Sequence, residues 1–242
     1  MSLEQQKIFI TFGNPTYHNS VKRICKEAEN LDFFTKIYGF TEVDLKQDEY
    51  FWNNHGNFIE NNCRGYGYWL WKSYLIQKEI NRINENDILI YCDAGCEINN
   101  SGKKRLFEYM DMLNNNKENY GIISFQMDHK EIFYTKKKIF EYFSINDIDS
   151  CDYFQHVGGI LIIKKNNHSI NIINNWYNTC CIYDLINDNI KNENAYFIDN
   201  RHDQSILSIL VNKYGSIKIK DETYFQPWSI GKEYPFLAKR IK

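Results

Sequence analysis

The sequence is poor in proline, with three in 242 residues, and no proline- or glycine-rich stretch divides it. Without such a linker the chain is expected to fold as one domain, and its 43% of hydrophobic residues can form a core. No apolar run approaches about 18 residues, so no membrane-spanning helix is expected. The formal net charge is only −2, with no long block of one sign, which argues against a nucleic-acid-binding protein.

The seven cysteines include no Cys-x-x-Cys pair. The first residues lack the apolar run of a signal peptide, so we expect a cytoplasmic chain whose thiols are reduced and packed in the core. A zinc site would need further ligands at a characteristic spacing, and the six histidines do not supply them.

Apolar segments typical of strands alternate with segments of helical periodicity, which predicts a layered α/β domain. Strands are predicted at 7–12, 40–45, 87–92, 120–126, 156–165 and 216–220, and helices at 18–30, 69–83, 103–114, 136–143, 169–184 and 203–214. Ligands of such sheets bind at the carboxyl ends of strands, so polar residues that follow a strand are the first candidates for a site.

The stretch DILIYCDAGCEI, residues 87–98, ends a buried strand on Asp93 and follows it with small residues. Small residues allow a ligand or backbone to approach closely, and a single carboxylate beside phosphate oxygens suits a hard divalent cation. The alternative is that Asp93 only caps a turn through its own backbone.

A second candidate is CRGYGYWLWKSYLI, residues 63–76, in which Arg64 precedes two glycines and Lys72 lies at the edge of an apolar helix face. Both cations are natural partners of phosphate oxygens. They could equally be a solvated arginine and a lysine whose stem covers apolar surface, beside aromatic residues that pack in the core.

A third candidate is NRHDQSILSILVNKY, residues 200–214, where Asp203 shares the spacing of the buried helix face. Asp203 could act as a base, or it could only stabilise the helix N-terminus. His202 beside it is a possible metal or phosphate contact. The pair Gly158–Gly159 either allows a bend in a strand or leaves room for a sugar.

Together these motifs resemble nucleotide-sugar-dependent glycosyltransferases of the GT-A fold, and are similar to bacterial and giant-virus proteins of that kind. The residues that carry the resemblance are Gly65–Lys72, Asp93–Gly95 and Arg201–Ser205. The resemblance implies a GT-A-like single domain with a mixed, mainly parallel central sheet flanked by helices. Residues 1–98 would form the nucleotide-sugar-binding half, 99–220 the acceptor half, and 221–242 a tail that adds little.

The resemblance also implies roles for individual residues. Asp203 would be the catalytic base, with Asp152 in reserve, unless the reaction retains configuration and Asp203 only positions hydroxyl groups. The donor would be bound by Thr11, Phe12, Asn14, Arg64, Lys72 and Asp93, and the acceptor or sugar by Gly158, Gly159, His202 and Gln204.

The usual metal motif of such enzymes is Asp-x-Asp, but here position 95 is glycine, so only Asp93 matches it. A divalent metal, Mn or Mg, is expected at Asp93, with His202 or Glu97 completing its shell unless Arg64 and Lys72 neutralise the diphosphate instead. The implied donor is a UDP-sugar and the implied acceptor a glycan or lipid-linked acceptor of polysaccharide biosynthesis, in the cytoplasm of a cell or of a virus-infected host.

Two other functions compete with a glycosyltransferase. A dinucleotide-dependent oxidoreductase would need Gly-x-Gly-x-x-Gly after the first strand, whereas FGNPTYHN has a single glycine there. A non-catalytic module that binds a nucleotide sugar or glycan is the stronger alternative, because Gly95 removes the second acid of the metal motif.

Overall fold

The structure, a computed structural model, describes residues 4–146 and 152–242. Its strands are β1 (Lys7–Gly13), β2 (Lys36–Thr41), β3 (Ile88–Cys92), β4 (Glu97–Ile98), β5 (Ile122–Lys130), β6 (Phe154–His156), β7 (Ile160–Lys164), β8 (Ile217–Lys220) and β9 (Phe236–Leu237). Its helices are α1 (His18–Asn30), α2 (Glu42–Gln47), α3 (Glu49–Asn61), α4 (Leu70–Arg82), α5 (Lys103–Asn115), α6 (Glu131–Tyr134), α7 (Lys137–Tyr142), α8 (Asn167–Cys180), α9 (Tyr183–Ile186) and α10 (Asp203–Tyr214). None of these helices is long and apolar enough to cross a membrane.

In the described part of the chain, seven strands form one central sheet in the order β2-β1-β3-β7-β5-β6, and β8 also pairs with β5. The pairs β1–β2, β1–β3 and β5–β8 are parallel, whereas β7 is antiparallel to β3 and β5, and β6 is antiparallel to β5. Only β6 and β7 therefore run against the common direction. The predicted mixed, mainly parallel sheet flanked by helices is confirmed.

The sheet is covered on both faces, which explains why β3 reads as a continuous apolar run. Alternate residues of β1 point to opposite faces, so Ile8 and Ile10 join one core layer while Phe9 joins the other. The first layer is completed by α3, α4, α8 and α10, and the second by α1 and α5.

Three predicted elements differ from the structure, near residues 40, 158 and 181. The helix predicted at 169–184 is two helices, α8, which ends at Cys180, and α9, which begins at Tyr183. The strand predicted at 40–45 is β2, which ends at Thr41, because Thr41 and Asp44 form a capping box that starts α2. The strand predicted at 156–165 is two strands, β6 and β7, joined by a short connection that contains the glycine pair.

The segment after β8 is bound to the first half of the chain. β9 pairs antiparallel with β4, and Glu222 accepts hydrogen bonds from both Arg105 and Tyr109. Lys239 pairs with Glu97 at 2.9 Å. The tail thus packs close to the end of β3, which the sequence did not indicate.

Candidate active site

A cavity of about 970 Å³ lies at the carboxyl ends of the parallel strands β1 and β3. Its walls come from the residues after these strands, the segment before α4, the start of α10 and the tail. The predicted site residues that line it are Phe12, Asn14, Arg64, Lys72, Asp93, Gly159, His202, Asp203 and Gln204. The structure therefore brings together side chains from all three sequence motifs, at the edge where such sheets bind ligands.

The centre of the cavity is a cluster of three charged side chains. The Lys72 ammonium lies 3.0 Å from Asp93 Oδ1 and 3.6 Å from Asp203 Oδ2. It also donates to the carbonyl oxygen of Gly158 at 3.1 Å. The side chains of Lys72 and Asp203 are only 4% and 3% exposed, so their attraction is weakly screened by water, whereas Asp93 is 40% exposed.

The protonation of this cluster follows from its burial. Burial raises the pKa of Asp203 to about 7, although the Lys72 ammonium acts in the opposite direction. For Lys72 burial favours the neutral form, but Asp203 and Asp93 outweigh it and raise its pKa above the usual value. The cluster therefore holds a permanent cation beside a carboxyl group that titrates near neutrality.

Tyr91 and the glycine pair fix the position of Asp93. The Tyr91 hydroxyl donates to Asp93 Oδ1 at 2.5 Å, and Asp93 N donates to the carbonyl oxygen of Gly159 at 2.8 Å. A Cβ atom at Gly159 would stand 2.7 Å from Asp93 Oδ2, and one at Gly158 would stand 2.8 Å from Cβ of Gln204. The glycines are thus required by the packing of site side chains, and Gly158 does not itself line the cavity.

His202 precedes α10 in an unusual backbone conformation, with φ 54° and ψ −119°. Its Nδ1 donates to the carbonyl oxygen of Ile186 at 2.6 Å, and its ring stacks on Tyr68 and Trp69 at 5.1 and 5.2 Å. Burial lowers the pKa of His202, so the ring is neutral and its Nε2, which has no hydrogen-bond partner, carries a lone pair. Strain of this kind persists only where the surroundings impose it.

Arg64 lies on the cavity wall but is already paired. Its guanidinium donates to Asp188 at 2.8 Å and to Asp199 at 3.3 Å. Its guanidinium is therefore already shared between two partly exposed carboxylates, and a phosphate would have to compete with them.

The residues after β1 include one that does not reach the cavity. The Phe12 ring packs against Trp71, with ring centres 4.0 Å apart and planes tilted by 31°, and forms an aromatic wall beside Asn14. The Thr11 side chain is fully buried and lies outside the cavity, because adjacent residues of a strand face opposite sides. Its predicted contact with the nucleoside is therefore corrected.

Two further candidates lie elsewhere. Asp152 is 79% exposed, pairs with Lys130 at 3.1 Å and does not line the cavity. Glu97 is engaged by Lys239 and does not line it either. Neither is placed to act as a reserve base or to complete a metal shell at Asp93.

The sequence did not identify Tyr91, Arg240 or Lys242 as site residues, although the last two line the cavity. Tyr91 could have been found, because it lies two residues before Asp93 on a strand and therefore on the same side. No pattern in the sequence predicts that Arg240 and Lys242 lie at the cavity.

The side chains around Asp93 do not by themselves form a complete site for a divalent cation. Oδ1 of Asp93 already accepts from Lys72 and Tyr91, and the ammonium occupies the space between Asp93 and Asp203. Position 95 has no side chain to serve as a ligand. Within residues 4–146 and 152–242, no group of three or more His, Cys, Asp or Glu side chains is placed to hold a metal.

Residues 65–69 form a left-handed turn between α3 and α4. All five have positive φ, from 51° at Tyr68 to 84° at Gly67, although only two of them are glycines. Left-handed backbone costs about 1–2 kcal/mol for each residue other than glycine. Backbone hydrogen bonds hold it, such as Gly67 N to the carbonyl oxygen of Asn62 at 2.8 Å. In addition, Trp71 Nε1 donates to the carbonyl oxygen of Gly65 at 3.0 Å, and Trp69 stacks on His202.

Gly67→Ala is expected to lower the free energy of unfolding by about 1–3 kcal/mol. The new methyl group would meet Ile59 at 2.7 Å, in addition to the cost of φ +84°. The control is the same substitution in an Ile59→Ala background, which removes the side-chain atom that the new methyl group would meet. Urea denaturation in both backgrounds measures the difference, and equal losses would show that the contact with Ile59 costs nothing.

No protein-family model matches the chain, and no curated protein sequence matches it. Several solved structures that resemble it are glycosyltransferases. A glycosyltransferase involved in glycosylation of the major capsid of PBCV-1 is 13% identical, with a TM-score of 0.46, over 96% of this chain and 91% of that one. Mouse xyloside xylosyltransferase 1 is 9% identical, with a TM-score of 0.47, over 98% and 94%.

The galactosyltransferase LgtC, solved with donor and acceptor sugar analogues, is 11% identical, with a TM-score of 0.43, over 92% of this chain and 77% of that one. These proteins belong to the class that the three sequence motifs resemble. The identities and TM-scores are too low for any residue role to be carried over from them.

Proposed function

We propose that the chain is a glycosyltransferase that takes its sugar from a nucleotide-sugar donor. The observation that carries this proposal is the cluster of Lys72, Asp93 and Asp203 inside a cavity at the ends of β1 and β3. The cavity volume of about 970 Å³ is at the upper end of the range for small-molecule sites, as a nucleoside diphosphate sugar requires. The donor is proposed to be a UDP-sugar and the acceptor a glycan or lipid-linked sugar.

The charges of the cluster suit the chemistry of glycosyl transfer. When the bond between the anomeric carbon and the diphosphate oxygen breaks, its electron pair stays on the diphosphate. A preorganised cation such as the Lys72 ammonium stabilises that developing negative charge. The aromatic wall of Phe12, Tyr66 and Trp71 offers a surface for the nucleoside.

The acceptor must lose a proton as its hydroxyl oxygen bonds to the anomeric carbon. Asp203 is proposed to take that proton, because it lines the cavity, its Oδ2 has no hydrogen-bond partner and its pKa is near 7. This role belongs to direct inversion. In a retaining reaction Asp203 would hold sugar hydroxyls, and the anomeric configuration of the product, read by NMR, decides between the two.

UDP is expected to raise the unfolding temperature by about 5–10 °C at a concentration of about 100 times its dissociation constant. The physical reason is mass action, since only the folded chain has the cavity. Differential scanning fluorimetry with UDP, GDP and CMP measures the shift. Incubation with UDP-sugars, followed by assay of released UDP, then tests for turnover.

The main alternative, a non-catalytic module for a nucleotide sugar or glycan, is favoured by Gly95 and by the tight ion pairing around Asp93. As a nucleotide-sugar module, the chain would show the same rise in unfolding temperature with UDP. It would release no UDP from any UDP-sugar, with or without an acceptor. Absence of a shift with every nucleotide, in a folded sample, would contradict both the glycosyltransferase and the nucleotide-sugar module, and would leave only a glycan-binding module.

A further inference from the structure

We propose that residues 238–242, here called the tail segment, bind the diphosphate of the donor through Arg240 and Lys242. In this proposal, side-chain cations perform the charge neutralisation that a divalent metal performs in enzymes with two motif acids. The inference rests on the proposed nucleotide-sugar site, and its test is arranged so that the two can fail separately.

The tail segment is fixed to the loop that follows β3. Ile241 N donates to the carbonyl oxygen of Gly95 at 2.8 Å, and Ser20 Oγ donates to the carbonyl oxygen of Ile241 at 3.3 Å. Lys239, the residue before Arg240, is also held in place by its ion pair with Glu97. The backbone between the anchors is therefore held in place, so that Arg240 and Lys242 border the cavity.

Gly95 is the residue on which the tail segment rests. A Cβ atom at position 95 would lie 3.3 Å from Cα of Arg240 and 3.6 Å from the carbonyl oxygen of Ile241. The Cβ atom alone would be a tight contact, and a carboxylate beyond it would need the segment to move. The second acid of a metal motif and the tail segment therefore compete for the same space.

The distribution of charge around the cavity also supports binding of the diphosphate by the tail segment. Lys72 is already balanced by Asp93 and by the ionised form of Asp203, and Arg64 is paired with Asp188 and Asp199. By contrast, Arg240 and Lys242 are exposed and form no ion pair with any residue in the described part of the chain. Lys242 makes a different contact, with its ammonium 5.7 Å from the centre of the Tyr17 ring.

Unpaired cations on a cavity wall attract polyanions, and arginine in particular matches the geometry of phosphate oxygens. Because the charge of Lys72 is balanced, the tail segment is the part of the cavity wall that offers a diphosphate unpaired positive charge. No metal is required for that contact. The class of ligand that this surface recognises is a nucleoside diphosphate, free or as its sugar ester.

The test compares UDP affinity of the full chain with and without a chelator. Isothermal titration calorimetry is performed in EDTA and in Mn²⁺, on the unmodified chain and on the double variant Arg240→Gln/Lys242→Gln. Lys232→Gln is the matched control, because Lys232 is an exposed cation of the same region that does not line the cavity. Both altered side chains are exposed, so the double variant is expected to fold, which its thermal unfolding verifies.

The expected result is that EDTA changes the dissociation constant of the unmodified chain less than threefold. The double variant is expected to bind UDP about 100-fold more weakly, roughly tenfold for each lost charge-assisted contact, and Lys232→Gln to bind normally. Binding that requires Mn²⁺, or a double variant with unchanged affinity, would overturn the inference and leave the proposed function standing. Failure of the unmodified chain to bind UDP in either condition would instead overturn the proposed function.

Discussion

Asp203→Asn is expected to reduce the rate of glycosyl transfer by about 10²- to 10⁴-fold, the usual contribution of a positioned acid or base. The amide cannot take a proton from the acceptor, yet it has almost the same shape as the carboxylate. UDP affinity is therefore expected to stay within a few fold of the original value. A steady-state assay of UDP release with donor and acceptor measures the rate, and calorimetry measures the affinity.

The pH dependence gives this prediction a second readout. Burial raises the pKa of Asp203 to about 7, and only the ionised form can act as a base. The rate of the unmodified chain should rise with pH through about 7 and then level off, whereas the residual rate of Asp203→Asn should lack this step. The groups that influence Asp203 from neighbouring elements are Lys72 on α4, Tyr91 on β3, Asp93 after β3 and Cys180 on α8.

Asp152→Asn is the control for the same assay, because Asp152 is exposed, paired with Lys130 and outside the cavity. Its rate and pH profile should not change. If Asp203→Asn transfers sugar as fast as the unmodified chain, Asp203 is not the base. A reduced rate with an unaltered pH profile would identify Asp203 as a positioning residue instead.

Lys72→Met is expected to lower the free energy of unfolding by about 3–5 kcal/mol, the typical cost of removing one partner of a buried ion pair. The variant leaves Asp203 buried without its cation, because Lys72 and Asp203 are each less than 5% exposed. Chemical denaturation measures the loss. Lys26→Met is the control, since Lys26 and Glu29 form an exposed pair that contributes little.

The loss should depend on pH in a defined direction. The pKa of Asp203 is higher in the folded chain than in the unfolded chain, so the folded state binds more protons between those two values and stability falls as pH rises through them. Removal of Lys72 takes away the charge that lowers the pKa of Asp203. The pKa in the folded chain then rises, so stability continues to fall up to a higher pH. Lys72→Met should therefore be destabilised more at pH 8 than at pH 5.

The double variant Lys72→Met/Asp203→Asn separates loss of the ion pair from loss of packing. It contains no buried charge at these two positions, so it should be more stable than Lys72→Met alone above pH 7. If both variants unfold at the same denaturant concentration there, the cost of Lys72→Met comes from packing of the lysine stem and not from the charge of Asp203.

The sequence could predict the parts of the site that depend on local pattern. Asp93 follows a buried strand, and Asp203 shares the helical spacing of Leu207 and Leu210, so both were expected near the sheet edge. Thr11 was assigned to the nucleoside although Phe12, its neighbour on the strand, must face the opposite side. Because successive side chains of a strand point to opposite faces, Thr11 and Phe12 could not both have been assigned to the nucleoside, even without a structure.

Contacts between distant segments could not be predicted in this way. The pairing of Arg64 with Asp188 and Asp199 joins residues separated by 124 and 135 positions. The docking of the tail segment on Gly95 is likewise a tertiary contact, and composition gives no sign of it. The sequence shows that glycine replaces the second acid of the Asp-x-Asp motif. It does not show that the tail segment packs against that glycine.

The way the tail joins the first half has a consequence for folding kinetics. The ion pair of Lys239 with Glu97 closes a loop of 142 residues, and the contact of Lys72 with Gly158 closes one of 86. Such distant contacts cost chain entropy before they contribute stability, so they slow folding compared with local helical contacts. The cavity is complete only when residues 238–242 have met the residues that follow β1 and β3, so a nascent chain in which residues 238–242 are not yet made would lack one wall of the cavity.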